Sequence, residues 1–495
     1  MTTPGETAAE SSQAIVATRD PIVVLGAGPA GLACAYRILL SNPDQKVVVV
    51  DRSSIIGGAG ASFKWKGHTL DFGPHAFHTR GSEPEKLVRD LFAAEPGLLI
   101  EGRKQVHVYL KGKRFKYPLQ ITEALLKFNP LLSARIIIEF LITSLFHAAV
   151  SIPVENFENW GKKRFGPTLY KMSFGDYTEK VWKTKANKIS EKFASEKIQG
   201  FSFINLIQKL LRVGGQVTEP YYQTWLYHRY GSGQMYVRLG ERIRERGGEI
   251  LLGTTIHSVN RQGRRVVSIT VEKDGAKTEI PCTWLVNTIP LPQFVGTLGG
   301  DVPFPVRHAA SKLRYISLLL VYLEFPVERV SEDHWFYLLD PRFAFNRVTE
   351  QKNLSSDTME PGKTVLSFEL TCRVGDEYWR MTDEELVKLA IKDCQSIHFM
   401  CDLIGRITDS KVIRVPNVYE IYFKGFDQHA ESVLAYMSEM DNVSSVGRRG
   451  LFLQGDQHQA VEMGLEMGDI LAQNVPDRLR LDGFMAKYVG YLDSY

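Results

Sequence analysis

A chain of 495 residues, 44% apolar and 23% charged, is long enough for two or three domains sharing substantial cores, which excludes a wholly disordered or fibrous protein. Sixty basic against 56 acidic residues leave a formal charge of +4, too mild and too dispersed for a nucleic-acid partner but compatible with an anionic small molecule. Five cysteines (Cys34, Cys282, Cys372, Cys394, Cys401), odd in number and without CxxC spacing, argue against a disulfide framework or a metal site and fit a reducing, cytoplasmic setting.

Residues 1–19 lack an apolar run and read as a solvated tail, not a secretory signal. IVVL (22–25) and KVVVV (46–50) flank the helical stretch LACAYRILL, the strand, helix, strand order of a parallel unit. Between them GAGPAG supplies Gly26 for a tight turn, Gly28 for close approach of backbone to a pyrophosphate, and Gly31 for helix-to-strand packing. The helix N-terminus adds N–H donors and partial positive charge. Asp51, about 20 residues beyond Gly31, ends the second strand, where a carboxylate accepts ribose hydroxyls. A second cluster, GGAGAS (57–62), is more than a nicotinamide dehydrogenase needs and would let a long, bent dinucleotide lie on backbone. GPHAFHT (73–79) then sets His75 and His78 in a glycine and proline turn.

Residues 118–225 carry helical patterns and read as an insertion. Within it, residues 131–152 hold a long apolar stretch interrupted by Arg135 and Glu139, and only Phe140 to Ile152 is free of charge. That is too short to span a bilayer, since spanning takes about 18 or more apolar residues. The expectation is a buried helix of the substrate region, in preference to one resting on a membrane. The run Tyr221, Tyr222, Trp225, Tyr227 and Tyr230 is expected to pack at a domain junction.

From 249 the runs EILLGTTIHSV, RVVSITV and TEIPCTWLVNTI, with an Asp274-Gly275 turn, predict a return to the first domain. SLLLVYLEF and TVLSFELTC alternate as strands of a second sheet, before the helix DEELVKLAIKDCQSI. At the end GLFLQG is expected as a strand and AVEMGLEMGDILAQNV as a helix. The fold expected is α/β: a discontinuous Rossmann-like domain of residues 20–117, 226–300 and 421–495, a helical insertion (118–225), and a sheet-containing substrate domain (301–420).

DRSSIIGGAGAS after GAGPAG, the strand WLVNTIP, and GLFLQGD before AVEMGLEMG together resemble the FAD-binding elements of the flavoprotein superfamily that holds amine oxidases, protoporphyrinogen oxidases, phytoene desaturases and UDP-galactopyranose mutases. The resemblance implies FAD as cofactor, reduced by NAD(P)H or another donor. Its contacts would include Gly26, Gly28, Gly31, Asp51, Arg52, Gly57, Gly58, Ala59, Ser62, Gly73, His75, Ile256, Arg448, Gly455, Asp456, Gln457 and Ala460.

GPHAFHT, GDYTEKVW (175–182), HWFYLLD (334–340), AFNRVTEQKNLS (344–355) and GRRGLF (447–452) are similar, in matching order, to elements of the mutase branch. That branch uses reduced flavin as a nucleophile on a nucleotide sugar. The resemblance therefore implies His75 beside the flavin, with Arg347 on the diphosphate in an FxRxT element. It places Lys197 where mutases of eukaryotic type carry a second arginine, with Tyr337 and Tyr419 available to phosphate or sugar. His78 ranks below His75 as a catalyst, and Arg449 is expected in solvent. The tyrosine that follows GRxG in the mutases has no counterpart in LFLQGDQ, and His458 or Asp456 stands where they carry an aspartate. Three activities stay open at this point. They are a flavin-dependent mutase on an anionic glycosyl phosphate, an FAD-dependent oxidoreductase acting on an apolar substrate, and a non-enzymatic escort protein, against which the intact nucleotide motifs count.

Overall fold

The computed structural model describes residues 20–78, 81–150, 153–193, 224–473 and 476–493. Four-residue Ile22–Leu25 is buried throughout, as a β-branched run does at the centre of a parallel sheet covered on both faces. It lies between Val47–Asp51 and Trp284–Asn287, and the five parallel strands run in the order 249–252, 47–51, 22–25, 284–287, 443–445. The expected strand GLFLQG is therefore corrected. The last strand is Val443–Ser445, while Gly447–Leu451 forms a short helix and residues 453–456 run irregularly to the next one. Positive φ at Gly447 and Phe452 brackets that turn of helix and breaks any extended run.

Two helices sandwich tightly over this sheet. Pro29–Ser41 opens with proline in its first turn, where no N–H is required, and Gln457–Leu471 lies against it. Gly464 and Gly468, four residues apart on one helical face, make the contact possible. A Cβ on Gly464 would stand 2.2 Å from the Ala30 carbonyl oxygen, and one on Gly468 2.8 Å from that of Cys34.

The second sheet has seven strands in the order 409–420, 315–325, 364–372, 347–350, 335–338, 106–110, 113–116. All pairings are antiparallel except Trp335–Leu338 with Val106–Leu110. The boundary expected at residue 117 thus needs moving, because residues 106–116 pair into the substrate sheet and not the nucleotide domain. Nothing local in VHVYL states which sheet such a strand joins. Along Tyr315–Phe325 odd and even residues divide between two cores. Leu319, Val321, Leu323 and Phe325 face the helix Asp383–Gln395, and Leu318, Leu320 and Tyr322 face Leu70 and Val365. Asp274 and Gly275 both have positive φ, as a two-residue hairpin turn requires.

Among the described residues the insertion is helical from Ile121 to Trp182, with Pro130–Ala149 its longest helix there, while Thr224 and Trp225 already belong to the strand Thr224–His228. The expected burial of this helix is overturned. Ser133, Ile136 and Phe140 are buried, but Leu131, Ile138, Ile142 and Leu145 are 55–82% exposed. Arg135 and Glu139, which interrupt the apolar run in sequence, pair with each other across one turn at 2.7 Å. By length and composition alone the stretch Pro130–His147 is apolar enough to cross a membrane.

Candidate active site

The nucleotide motif has the geometry its glycines imply. Gly26 sits at φ +111, and a Cβ on Gly31 would fall 2.0 Å from the Gly26 oxygen, so only hydrogen fits where helix meets strand. A Cβ on Gly28 would meet nothing within 4 Å, and no side chain caps the helix it begins. The second glycine cluster folds back on the first. Gly57 N–H donates to the Ala27 carbonyl at 2.8 Å, and Gly58 packs on the Gly28 Cα. Asp51 accepts from Ala27 N–H (2.7 Å) and Ser53 N–H (2.8 Å), which fixes its carboxylate at the end of its strand. Ile256 lies two residues after Thr254, whose N–H reaches the Asp51 carbonyl at 2.9 Å, and the exposed Arg52 follows Asp51 directly.

Farther along, Ala59 lies in the short turn Gly58–Gly60 and the Ser62 hydroxyl is held in the fold, donating to Asp71 at 2.5 Å and accepting from Gly233 N–H at 2.8 Å. Asp71 is buried, and burial raises its carboxyl pKa to about 6 against the opposing bonds from Ser62 and Tyr227. The start of Gln457–Leu471 closes the groove. Gln457 donates to the His75 carbonyl at 2.7 Å and accepts from the Tyr236 hydroxyl, while Asp456 caps the helix in a reciprocal box with Gln459. Gly455 precedes that cap, and Ala460 is buried in the first turn. His458 is buried beside Phe77 and His78, so Asp456 is the group presented at the helix entrance.

These features fit a dinucleotide of the FAD kind: an open backbone cradle at Gly28, an uncapped helix start, and a glycine shelf behind it. The buried His75 Nδ1, which has no hydrogen-bond partner among the described residues, fits a ring lying beside that loop.

The sequence elements GPHAFHT, HWFYLLD and AFNRV meet where the second sheet overhangs this groove. Gly73 takes φ +111 and backs onto Glu369, whose oxygen would lie 3.2 Å from a Cβ there. Arg347 binds Glu369 as a two-toothed fork, Nε and Nη2 each donating at 2.7 Å to a different carboxylate oxygen. Burial works against the Arg347 charge, but the Glu369 carboxylate outweighs it and holds the guanidinium protonated. Its guanidinium stands 5.8 Å from the Tyr337 ring, which stacks obliquely on Tyr117 and meets Tyr177 edge-on. Burial raises the Tyr177 and Tyr419 hydroxyls above their usual range, and for Tyr117 the Tyr337 neighbour leads, followed by burial. All three are donors at neutral pH.

Tyr419 also lies against Arg448, whose Nη2 donates to the Val418 carbonyl at 3.0 Å and reaches Glu420 at 3.4 Å. Arg449 is not in solvent as expected. It is half-buried, and burial lowers its pKa despite the nearby Glu420.

The sequence missed Glu369, Glu420, Tyr117 and Tyr177. A lone carboxylate inside the otherwise uncharged TVLSFELTC was the one local sign of Glu369, and Tyr177 lay unremarked within GDYTEKVW. Lys197, Tyr221 and Tyr222 lie outside the described residues. Trp225 and Tyr227 are buried in the strand Thr224–His228, as expected of packing residues, but Tyr230 is exposed and does not pack as expected.

His75 is not poised near neutrality. Burial first, then Arg347 and Arg448, lower its pKa to about 4, so the imidazole is neutral at pH 7 and both donates and accepts as a neutral ring. In the unfolded chain the same group titrates near 6.5, so the unfolded state takes up the proton first as pH falls. Stability present above about pH 6.5 is therefore lost down to about pH 4. His228 and His334 are shifted the same way, also to about 4, with burial leading. Urea unfolding of the His75→Gln variant across that window should show a shallower acid decline than wild type, with no difference in slope between pH 7 and 8.

Residues 29–462 match the profile of the family described as flavin containing amine oxidoreductase, and the chain belongs to that family. It is thus a flavoenzyme, and the family's flavin is FAD. A crystal structure of reduced UDP-galactopyranose mutase superimposes with a TM-score of 0.76 at 18% identity, covering 95% of this chain and 99% of that one. A putative protoporphyrinogen oxidase from Exiguobacterium sp. 255-15 gives 0.70 at 17%, covering 92% and 98%. Wild-type putrescine oxidase bound to putrescine gives 0.59 at 14%, covering 92% and 99%. Among curated proteins, coproporphyrinogen III oxidase of Staphylococcus aureus (strain NCTC 8325 / PS 47) is 25% identical over 97 residues, which is 20% of this chain and 21% of that protein. At these identities the structural matches establish the shared fold, an α/β FAD domain carrying a largely antiparallel substrate sheet.

Proposed function

We propose that the protein is a flavin-dependent mutase acting on a nucleotide sugar or related glycosyl phosphate, interchanging pyranose and furanose rings without net redox change. The observation that carries this reading is the polar clasp over the flavin groove, in which Arg347, braced by Glu369, stands among Tyr117, Tyr177, Tyr337 and Tyr419. Bound reduced flavin supplies a nucleophilic nitrogen for the anomeric carbon. Arg347 keeps its charge and is placed to take phosphate oxygens as the nucleoside diphosphate departs. The protonated tyrosines donate to phosphate or sugar, and neutral His75 offers the flavin edge a hydrogen bond of either polarity. The reducing electrons would come from NAD(P)H or another donor, in a cytoplasmic setting.

A second reading, an oxidoreductase of an apolar substrate, draws on the fact that both cleft arginines already have carboxylate partners, Glu369 and Glu420. Incubating dithionite-reduced protein with candidate nucleotide sugars separates the two. Furanose product that requires reduced flavin supports the mutase. Absence of product, together with flavin bleaching or peroxide formation on adding an amine or polyene, selects the oxidoreductase.

A further inference from the structure

We propose that the outer face of the Pro130–Ala149 helix, with the basic surface beside it, docks this protein on an anionic phospholipid membrane. Leu131, Ile137, Ile138, Leu141, Ile142, Leu145 and Phe146 are each more than two-fifths exposed along this one helix. Leu131, Ile138, Ile142 and Leu145 recur at helical spacing and form a stripe, and Leu126 on the preceding short helix is also 87% exposed. Isolated exposed leucines are ordinary, but a stripe of this length on one element marks an interaction surface.

The helix lies on such a surface and does not cross it. Its opposite face is committed to the protein, since Ser133, Ile136 and Phe140 are buried and Glu139 accepts from both Thr168 N–H (2.8 Å) and Thr168 Oγ1 (2.9 Å). A spanning helix would have to leave those partners behind.

Charge selects the occupant. Residues 111–164 hold nine Lys and Arg against four Asp and Glu, a balance of +5, while the whole chain carries +4, so the net positive excess lies in this region and the rest of the chain is close to neutral. Beside the C-terminal end of the helix, Phe146, Pro153 and Val154 share a cavity of about 210 Å³ with Lys162 and Lys163, an apolar pocket rimmed by cations. Lys127, Arg135 and Lys162 meet carboxylates only across one helical turn, at positions 43–67% exposed, and such surface pairs exchange readily for lipid phosphate. A second copy docking face to face would set this basic surface against itself, which like charge opposes. An apolar stripe bordered by excess lysine and arginine is the pattern of an interfacial helix on anionic lipid.

The test uses the purified flavin-loaded protein and sedimentation with vesicles of phosphatidylcholine alone or mixed with phosphatidylglycerol. The expected result is binding to the mixed vesicles only, weakening as salt rises. Ile142→Glu with Leu145→Glu, and separately Lys162→Glu with Lys163→Glu, should each reduce partitioning by about tenfold or more while the flavin spectrum stays unchanged. Wild-type protein remaining in the supernatant with both vesicle types overturns the proposal. So does unaltered binding by the Ile142/Leu145 variant, or an oligomer in sedimentation velocity that this variant dissociates. None of these outcomes depends on which reaction the flavin site performs.

Discussion

Arg347→Ala should cost about 3–5 kcal/mol of stability and at least about a thousandfold in turnover. The stability loss comes from Glu369, only 4% exposed at its side chain, which would be left buried without its fork. On the proposed function, the turnover loss comes from removing the cation assigned to the substrate phosphate. The two separate in the double variant Arg347→Ala/Glu369→Gln. Without a stranded charge it should regain most of the stability in a urea melt, yet stay inactive. Arg347→Lys should fall between, keeping charge but losing the paired bonds. Equal recovery of stability and turnover in the double variant would show that the pair merely braces the sheet.

Gly28→Val should fold with nearly unchanged melting temperature and emerge colourless, its flavin affinity lowered by at least about a hundredfold, or ~2.7 kcal/mol. The backbone there, at φ −85 and ψ −179, suits any residue, and a Cβ meets no protein atom within 4 Å, so the folded apoprotein has nothing to resist the change. On the reading of Gly28 as the pyrophosphate cradle, the added side chain fills that space. Gly31→Val is the contrast. Its Cβ falls on the Gly26 carbonyl, and it should fail to fold whether or not flavin is added. Absorbance of purified protein with thermal melts distinguishes the two variants, and a yellow Gly28→Val protein would move the cofactor elsewhere.

The nucleotide half of the molecule was legible because its requirements are local. GAGPAG, Asp51 and GGAGAS act within one strand, helix, strand unit, where spacing translates directly into geometry, and the α/β expectation followed from them. The cleft was legible only by element. HWFYLLD and AFNRV were recognised as pieces, but Glu369 and Tyr117 come from distant strands and loops, and their nearness to Arg347 depends on sheet order, which no short stretch encodes. The Pro130–Ala149 helix misled for a different reason. Composition reports how apolar a segment is, and it does not report whether protein, another molecule or solvent will cover it.

The strand order carries a further cost during synthesis. Ile22–Leu25 leaves the ribosome early, yet its neighbour at 284–287 and the edge at 443–445 follow much later. At ordinary elongation speeds of about 5–20 residues per second, the nascent sheet waits roughly 20–80 s before its last strand is translated. Until residues 284–287 are made, roughly 13–52 s at those speeds, one flank of the β-branched strand Ile22–Leu25 stands ready to capture the wrong partner. Slowing aggregation relative to completion, by cooler growth or co-produced holdase, should therefore raise the soluble yield more than any stabilising change made within the finished sheet.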